Sequence, residues 1–173
     1  TSEVPEILAI AGKLAFSAER TQQAAARVAG RIDRILAFEG HRVSAGQTIA
    51  ELFSPDYLSA QQEFLLARNT LRNIKASNIK DLVEDAEATL QAARQKLRIL
   101  GAAESDIGRL DATSTPQQHL AVKAPISGVV VKRNLDPGQY LYFGDSVLTI
   151  SDPSSLWFLG NVYEQDYAKV RIG

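Results

Sequence analysis

Neither cysteine nor methionine occurs among the 173 residues. Disulfides are therefore excluded as staples, and thiol usage does not disclose the redox compartment. The same absences remove the soft sulfur ligands that suit Cu(I). An excess of one charge is missing too. A formal net charge of −1 gives no electrostatic footprint for nucleic acid or an anionic membrane surface. No apolar run approaches the roughly 20 residues that span a bilayer, and the N-terminus lacks a basic start followed by an apolar core. Membrane anchoring is thus expected only through segments outside this stretch. A chain without an initiating methionine that stops at Arg171-Ile172-Gly173 reads as a fragment of a longer protein. Its hydrophobic fraction of 45% is ordinary for globular proteins, and its length suits one domain or two small ones.

What the chain does contain is an internal repeat. Shifted by 98 positions, Gly30, Gly40 and Gly46 fall on Gly128, Gly138 and Gly144, while Ile32, Val43, Ile49 and Leu52 fall on Val130, Leu141, Val147 and Ile150. Matched glycines mark matched bends, and the apolar sites between them alternate as strands require. Asp136-Pro137-Gly138 suits a type II turn, with proline presetting φ and glycine accepting the positive φ that follows; Ser44-Ala45-Gly46 is expected to turn similarly. Each copy, about 23 residues long, is too short to bury a useful core alone, so the two are expected to pair into one small β-sandwich. Thr21 to Ala29 is ambiguous by propensity. Because Val28 matches Ile126, a strand is expected at Ala25 to Val28.

Between the copies the periodicity becomes helical. Ser54 is placed to cap a helix that has Pro55 first and Asp56 near its positive end. Tyr57, Phe64 and Leu71 with Ala60, Ala67 and Ile74 form one coiled-coil seam. Val83, Leu90 and Leu97 with Ala86, Ala93 and Leu100 form another, and Gly101 stands where a helix C-terminal glycine belongs. The expected product is an antiparallel helical hairpin with arms of roughly 20 residues, about 30 Å long. Arg68, Arg72 and Lys75 end the first arm, whereas Asp81, Glu84, Asp85 and Glu87 open the second, complementing the helix dipoles and, by expectation, each other. A short third helix is expected near Glu104 to Leu110, followed by a loop from Asp111 to Pro116.

Leu8 to Arg20 and Leu156 to Tyr163 read as strands at the two ends, with a helical turn in Glu164 to Val170. The fold class is thus α+β with nested architecture. The chain ends, 1–24 and 152–173, supply part of a β-barrel; 25–53 and 118–151 supply the sandwich; 54–117 supplies the hairpin with its third helix.

Catalytic and metal constellations are weak. Ser127 precedes Gly128 as a strand or turn residue with no base nearby, and the glycine turns lack phosphate-loop spacing. The two histidines, His41 and His119, are isolated. His41 matches Gln139 in the repeat, as an exposed polar site would, and a carboxylate such as Glu39 would have to join the pair in space to hold a metal. Enzymatic activity, a resident metal and a cofactor are all not expected.

Ala124-Pro125-Ile126-Ser127-Gly128-Val129-Val130, followed by Asp136-Pro137-Gly138-Gln139-Tyr140 and Gly144, resembles the second lipoyl half-motif of periplasmic adaptor proteins, or membrane fusion proteins. Gly30-Arg31-Ile32 through Gly40, Val43, Gly46 and Gln47 resembles the first. Ser54-Pro55-Asp56-Tyr57-Leu58-Ser59-Ala60-Gln61-Gln62-Glu63-Phe64-Leu65 is similar to the start of the hairpin in the heavy-metal, CusB/CzcB-like branch that serves resistance-nodulation-division efflux pumps. Leu156-Trp157 and Val162-Tyr163-Glu164 resemble the entry to that family's β-barrel. The resemblance covers nearly the whole chain.

It implies a non-enzymatic protein in the periplasm of a Gram-negative bacterium, associated with the inner membrane. Such a protein bridges an inner-membrane, proton-driven pump to a TolC-like outer-membrane channel, and its lipoyl-like sandwiches self-associate into an adaptor ring. The hairpin tip, Arg72, Asn73, Lys75, Ser77, Asn78 and Lys80, is then the expected channel contact. Two departures accompany the match: the chain ends inside the β-barrel, before the membrane-proximal domain, and it has no methionines to carry the family's methionine metal site. The same architecture serves type I secretion and ABC-type or drug efflux systems, which is the alternative reading, although arms this short favour metal export. A lipoyl or biotinyl carrier needs its modified lysine on a tight turn between the two halves. Here a whole hairpin separates Leu52 from Val122.

Overall fold

The computed structural model describes residues 20–152. The terminal strands and helical turn expected above, and most of the partial β-barrel, lie outside those residues. Two four-stranded sheets carry the order β1-β8-β6-β3 and β5-β4-β2-β7. Their strands are β1 (Thr21–Ala25), β2 (Gly30–Ile35), β3 (Arg42–Val43), β4 (Thr48–Phe53), β5 (His119–Lys123), β6 (Gly128–Arg133), β7 (Tyr140–Leu141) and β8 (Ser146–Ser151). Every strand of the first copy begins 98 residues before its counterpart, and exchanging counterparts turns one sheet's order into the other's. Each sheet therefore takes two strands from each copy. Neither copy completes a sheet by itself, because its own strands are not neighbours across the whole of either sheet.

The matched apolar positions make the core. Ile32, Val130, Val43, Leu141, Ile49, Val147, Leu52 and Ile150 are each 2% exposed or less, and full burial of such a side chain stabilises by about 1.5–3 kcal/mol. The turns repeat as well. Gly138 (φ 90°) lies between Pro137 and Gln139, whose N–H donates to the Asp136 carbonyl at 3.2 Å, and Gly40 (φ 87°) does the same with His41 and Phe38 at 3.0 Å. A second pair of turns is built on Gly46 and Gly144.

The first strand begins earlier than the repeat suggested. It runs over Thr21–Ala25 and pairs with β8, so residues 21–24 belong to the sandwich sheet and the expected boundary at 24/25 cuts through a strand. Ala26 starts a bend instead: its N–H donates to Asp145 and its carbonyl accepts from Gly144. Val28 is nonetheless 3% exposed; its apolar match marks a core position in a bend, which periodicity does not distinguish from a strand.

Three helices leave and return between β4 and β5: α1 (Pro55–Lys75), α2 (Lys80–Ile99) and α3 (Glu104–Thr113). Ser54 caps α1, its Oγ accepting from the Tyr57 N–H at 3.3 Å. Gly101 (φ 106°) ends the second arm, and the following N–H, of Ala102, donates to Leu97 at 3.0 Å. Tyr57, Ala60, Phe64, Ala67 and Leu71 of α1 are buried together with Ala86, Ala93 and Leu97 of α2. Arms of 21 and 20 residues extend about 30 Å. The third helix continues through Thr113, past the loop expected from Asp111, until Ser114 takes a left-handed φ of 55°.

The distal charges correct an expectation. No ion pair within the described residues joins Arg72 or Lys75 to Asp81, Glu84, Asp85 or Glu87; the pair that crosses between the arms is Lys96–Glu63, 2.9 Å, nearer the base. Complementary charges at a solvent-exposed tip gain little from pairing.

Tyr57 sits at the foot of α1, 2% exposed, and burial pushes its hydroxyl up to about 12, with Asp106 of α3 adding to the effect and Arg109 opposing it. An unfolded tyrosine ionises near 10. Stability is therefore unaffected by this group below that pH. It falls as pH rises from about 10 to 12, by up to roughly 2–3 kcal/mol. Urea unfolding of Tyr57→Phe at pH 8 and pH 11 is expected to show a smaller alkaline loss than the parent chain; equal losses would contradict this account.

Candidate functional site

The far end of the hairpin is where the fold presents unmatched chemistry. α1 closes on Arg72 and Lys75 with Ala76 as its cap. Ser77 completes that cap, its N–H and hydroxyl both donating to the Ile74 carbonyl, at 2.9 and 2.6 Å. Asn78 turns the chain with a left-handed φ of 60°, a conformation asparagine tolerates better than most residues. α2 then starts at Lys80 without a side-chain cap. The six residues expected as a contact, Arg72, Asn73, Lys75, Ser77, Asn78 and Lys80, are thus brought together and all are exposed. Ser77 and Asn78 shape the turn, while Arg72, Lys75 and Lys80 present cations that no ion pair in the described residues occupies. Exposed cations and amide donors of this kind are chemically suited to meet acceptor groups on another surface.

The lever is braced at its base by two residues whose role the periodicity did not reveal. Gln61 is fully buried. Its Nε2 donates to the Gln117 carbonyl at 2.9 Å and to the Tyr57 carbonyl at 3.3 Å, and its Oε1 accepts from the Gln117 N–H at 2.7 Å. Arg68, 6% exposed, reaches the end of α3: Nη1 donates to the Asp111 carbonyl and Nη2 to the Ser114 hydroxyl at 2.6 Å. A guanidinium there neutralises carbonyls that the helix leaves unpaired at its negative end. Both side chains lie one position past a seam residue, Ala60 or Ala67, and that offset is the one signal in the sequence that marks them.

The histidines are not brought together. His41 accepts from the Phe38 N–H through Nδ1 at 3.3 Å, and the repeat-related Gln139 accepts from the Asp136 N–H through Oε1. It is a turn-forming side chain. His119 pairs through Nε2 with Asp33 at 2.9 Å. Arg31 donates to the other oxygen of that carboxylate at 2.7 Å and, ahead of His119, holds it below the usual carboxylate range. Glu39 accepts from the Arg133 N–H instead of meeting either histidine. Among the described residues no three His, Asp or Glu side chains stand close enough to hold a metal ion. Ser127 accepts from the Ala45 N–H at 2.8 Å, which pins the two copies together. No described helix is long and apolar enough to cross a membrane.

Known proteins are similar to this chain in sequence and fold. "Cobalt-zinc-cadmium resistance protein CzcB" of Cupriavidus metallidurans is 28% identical over 94% of this chain and 33% of its own length. "Cation efflux system protein CusB" of Escherichia coli is 31% identical over 80% of this chain and 31% of its own length. The chain thus spans about a third of the curated relatives it matches. Among solved structures, ZneB from Cupriavidus metallidurans superposes with a TM-score of 0.54 and 28% sequence identity, covering 80% of this chain and 63% of that one. The family described as "CzcB-like, barrel-sandwich hybrid domain" matches residues 20–152, the same span that holds the two interleaved sheets and the inserted hairpin. This chain belongs to that CzcB-like barrel-sandwich hybrid family.

Proposed function

We propose that the chain is the sandwich-and-hairpin part of a periplasmic adaptor in a heavy-metal efflux system of a Gram-negative bacterium. The adaptor links an inner-membrane, proton-driven pump of the resistance-nodulation-division class to a TolC-like outer-membrane channel and catalyses no reaction itself. Membership of the CzcB-like family across 20–152 carries this reading. It is supported by the resistance and efflux roles in the names of the relatives, and by a braced lever ending in exposed cations and amides. The tip residues meet the channel, and the sandwiches pack side by side in the assembled ring.

The test is a resistance assay against copper, silver, zinc, cobalt and cadmium in a strain deleted for the full-length protein and complemented with it. Loss and rescue for particular metals are expected. Unchanged metal resistance, with dye sensitivity or failed secretion instead, would overturn the reading in favour of another adaptor branch. In the same strain, Lys75→Glu/Lys80→Glu is expected to lower resistance to the level of the deletion, because it reverses the tip charge without touching the Ser77 cap or the Asn78 turn. Protein abundance and thermal midpoint should stay at their parent values. Full resistance with both lysines reversed would remove the tip from the channel contact.

A further inference from the structure

The outer face of one sheet carries charge that the sandwich itself does not require. Along β5, Leu120 and Val122 are buried in the core, whereas His119 and Lys123 are exposed. On β4 the register slips between Thr48 and Ala50, so that Thr48 pairs with Lys123 and Glu51 with Ala121. Such a bulge shifts the alternation by one residue, which puts Thr48 and Glu51 on the same outer face. The repeat supplies a comparison. At the related positions of the other sheet, Thr21, Ala25 and Thr149 stand for His119, Lys123 and Glu51, and Ala25 pairs with Ser146 across the same slip. The same backbone is thus built without charge, so the charges on the first face serve something other than the fold.

Between that face and α3 lies a cleft of about 540 Å³, with Asp106 and Arg109 on the helix side and Glu51, His119 and Lys123 on the sheet side. Its volume falls within the about 300–1,000 Å³ typical of small-molecule sites, and far exceeds what one inorganic oxyanion fills. The charges in it are unequally engaged. Asp106 accepts from the Ala103 N–H at 3.0 Å, Glu51 faces Arg34 at 3.7 Å, and Nε2 of His119 is held by Asp33 at 2.9 Å. Arg109 and Lys123, in contrast, enter no ion pair among the described residues. Gln117, whose backbone Gln61 holds, also lines the cleft, and its Nε2 is buried with no acceptor among the described residues. A buried donor without a partner is unfavourable. Unmatched donors and cations on both walls call for acceptor oxygens. A metal ion does not fit, because no three His, Asp or Glu side chains among the described residues converge to hold one.

We propose that this cleft binds a small organic anion with two or more carboxylate or phosphate groups, one paired with Arg109 and another with Lys123. A guanidinium fork on one wall and an ammonium on the other favour two separated anionic groups over one. The site is remote from the hairpin tip and does not depend on the adaptor reading. Citrate and inorganic phosphate are the probes, added to the 173-residue chain at constant ionic strength while NMR follows the imidazole C–H signals. The chain has two histidines: His119 lines the cleft, whereas His41 belongs to the turn with Phe38. Citrate is expected to move the His119 signals with a dissociation constant below about 1 mM and to leave those of His41 in place. Phosphate, a single anionic group, is expected to bind at least about tenfold more weakly. Arg109→Gln and Lys123→Gln should each weaken citrate binding at least about tenfold. Their ligand-free thermal midpoints should be unchanged, since neither side chain is ion-paired in the free chain. Lys132→Gln, on β6 of the other sheet, removes the same charge elsewhere and should bind citrate as the parent does. Four results would each overturn the proposal: no movement of His119 at about 10 mM citrate; equal movement of His41, the mark of a general salt effect; phosphate binding as tight as citrate; or parental affinity in either cleft variant.

Discussion

Replacing Gly128 with alanine is expected to lower the thermal midpoint by about 10 °C, equivalent to about 3 kcal/mol for a unit of this size. A Cβ on Gly128 would stand 2.2 Å from the Ser151 carbonyl oxygen and 2.8 Å from its carbon. Both contacts are with backbone at the end of β8, which cannot swing aside as a side chain does, so the strand pair must separate where β6 and β8 register. Gly30→Ala repeats the effect in the other sheet, with the Phe53 oxygen 2.4 Å away and the Ser54 Cα at 3.3 Å. Because Ser54 caps α1, that substitution should also loosen the start of the hairpin, visible as faster amide exchange at Tyr57. Gly138→Ala is the comparator. Nothing lies within 4 Å of its Cβ position, and the left-handed φ alone costs about 1–2 kcal/mol. Denaturant midpoints ordered Gly128→Ala below Gly138→Ala check the steric account; the reverse order would mean that turn conformation, not close strand approach, selects these glycines.

These glycines also indicate what the sequence makes legible. A repeat offset keeps apolar positions and bends in step, so it specifies which residues meet in the core and where the chain turns, and Ile32 with Val130 or Gly40 with Gly138 behave accordingly. It does not specify which strand pairs with which. The interleaving of β1 and β3 with β6 and β8 follows from burial in three dimensions, where two incomplete sheets complete each other. Seam periodicity likewise places Phe64 and Leu97 inside, but it assigns Gln61 and Arg68 to a solvated face by polarity. Their burial depends on contacts with the segment from the end of α3 to the start of β5, a long-range event that their offset from the seam does not by itself foretell. The tip is legible for the opposite reason: a break between two heptad patterns must be the turn, and everything polar around it is exposed by default. Distal charges misled because complementarity along the sequence does not bring side chains within 4 Å when water solvates both.

The buried polar brace gives the second large effect. Gln61→Leu keeps volume and apolar contact but leaves the N–H and carbonyl of Gln117 without their shared partner, in a place where Gln61 is fully buried. Each orphaned group costs about 1–3 kcal/mol, so a loss of about 3 kcal/mol is expected. Arg68→Met keeps the aliphatic stem but removes the donors to Asp111 and Ser114; charged donors of this kind contribute about 1.5–3 kcal/mol. The ion pair adds little, because Asp111 at 47% exposure is well hydrated. Both side chains hold one segment, from the end of α3 to the start of β5, so their effects should not add. Once Gln61→Leu has released Gln117, the segment no longer holds Ser114 against Arg68, and the double variant should fall short of the sum by 0.5 kcal/mol or more, the range in which residues sharing a partner couple. Urea unfolding of the four chains measures this directly. A coupling energy of zero would mean that the two braces act on separate structures, and that α3 is held to the hairpin by Ile107 and Leu110 packing alone.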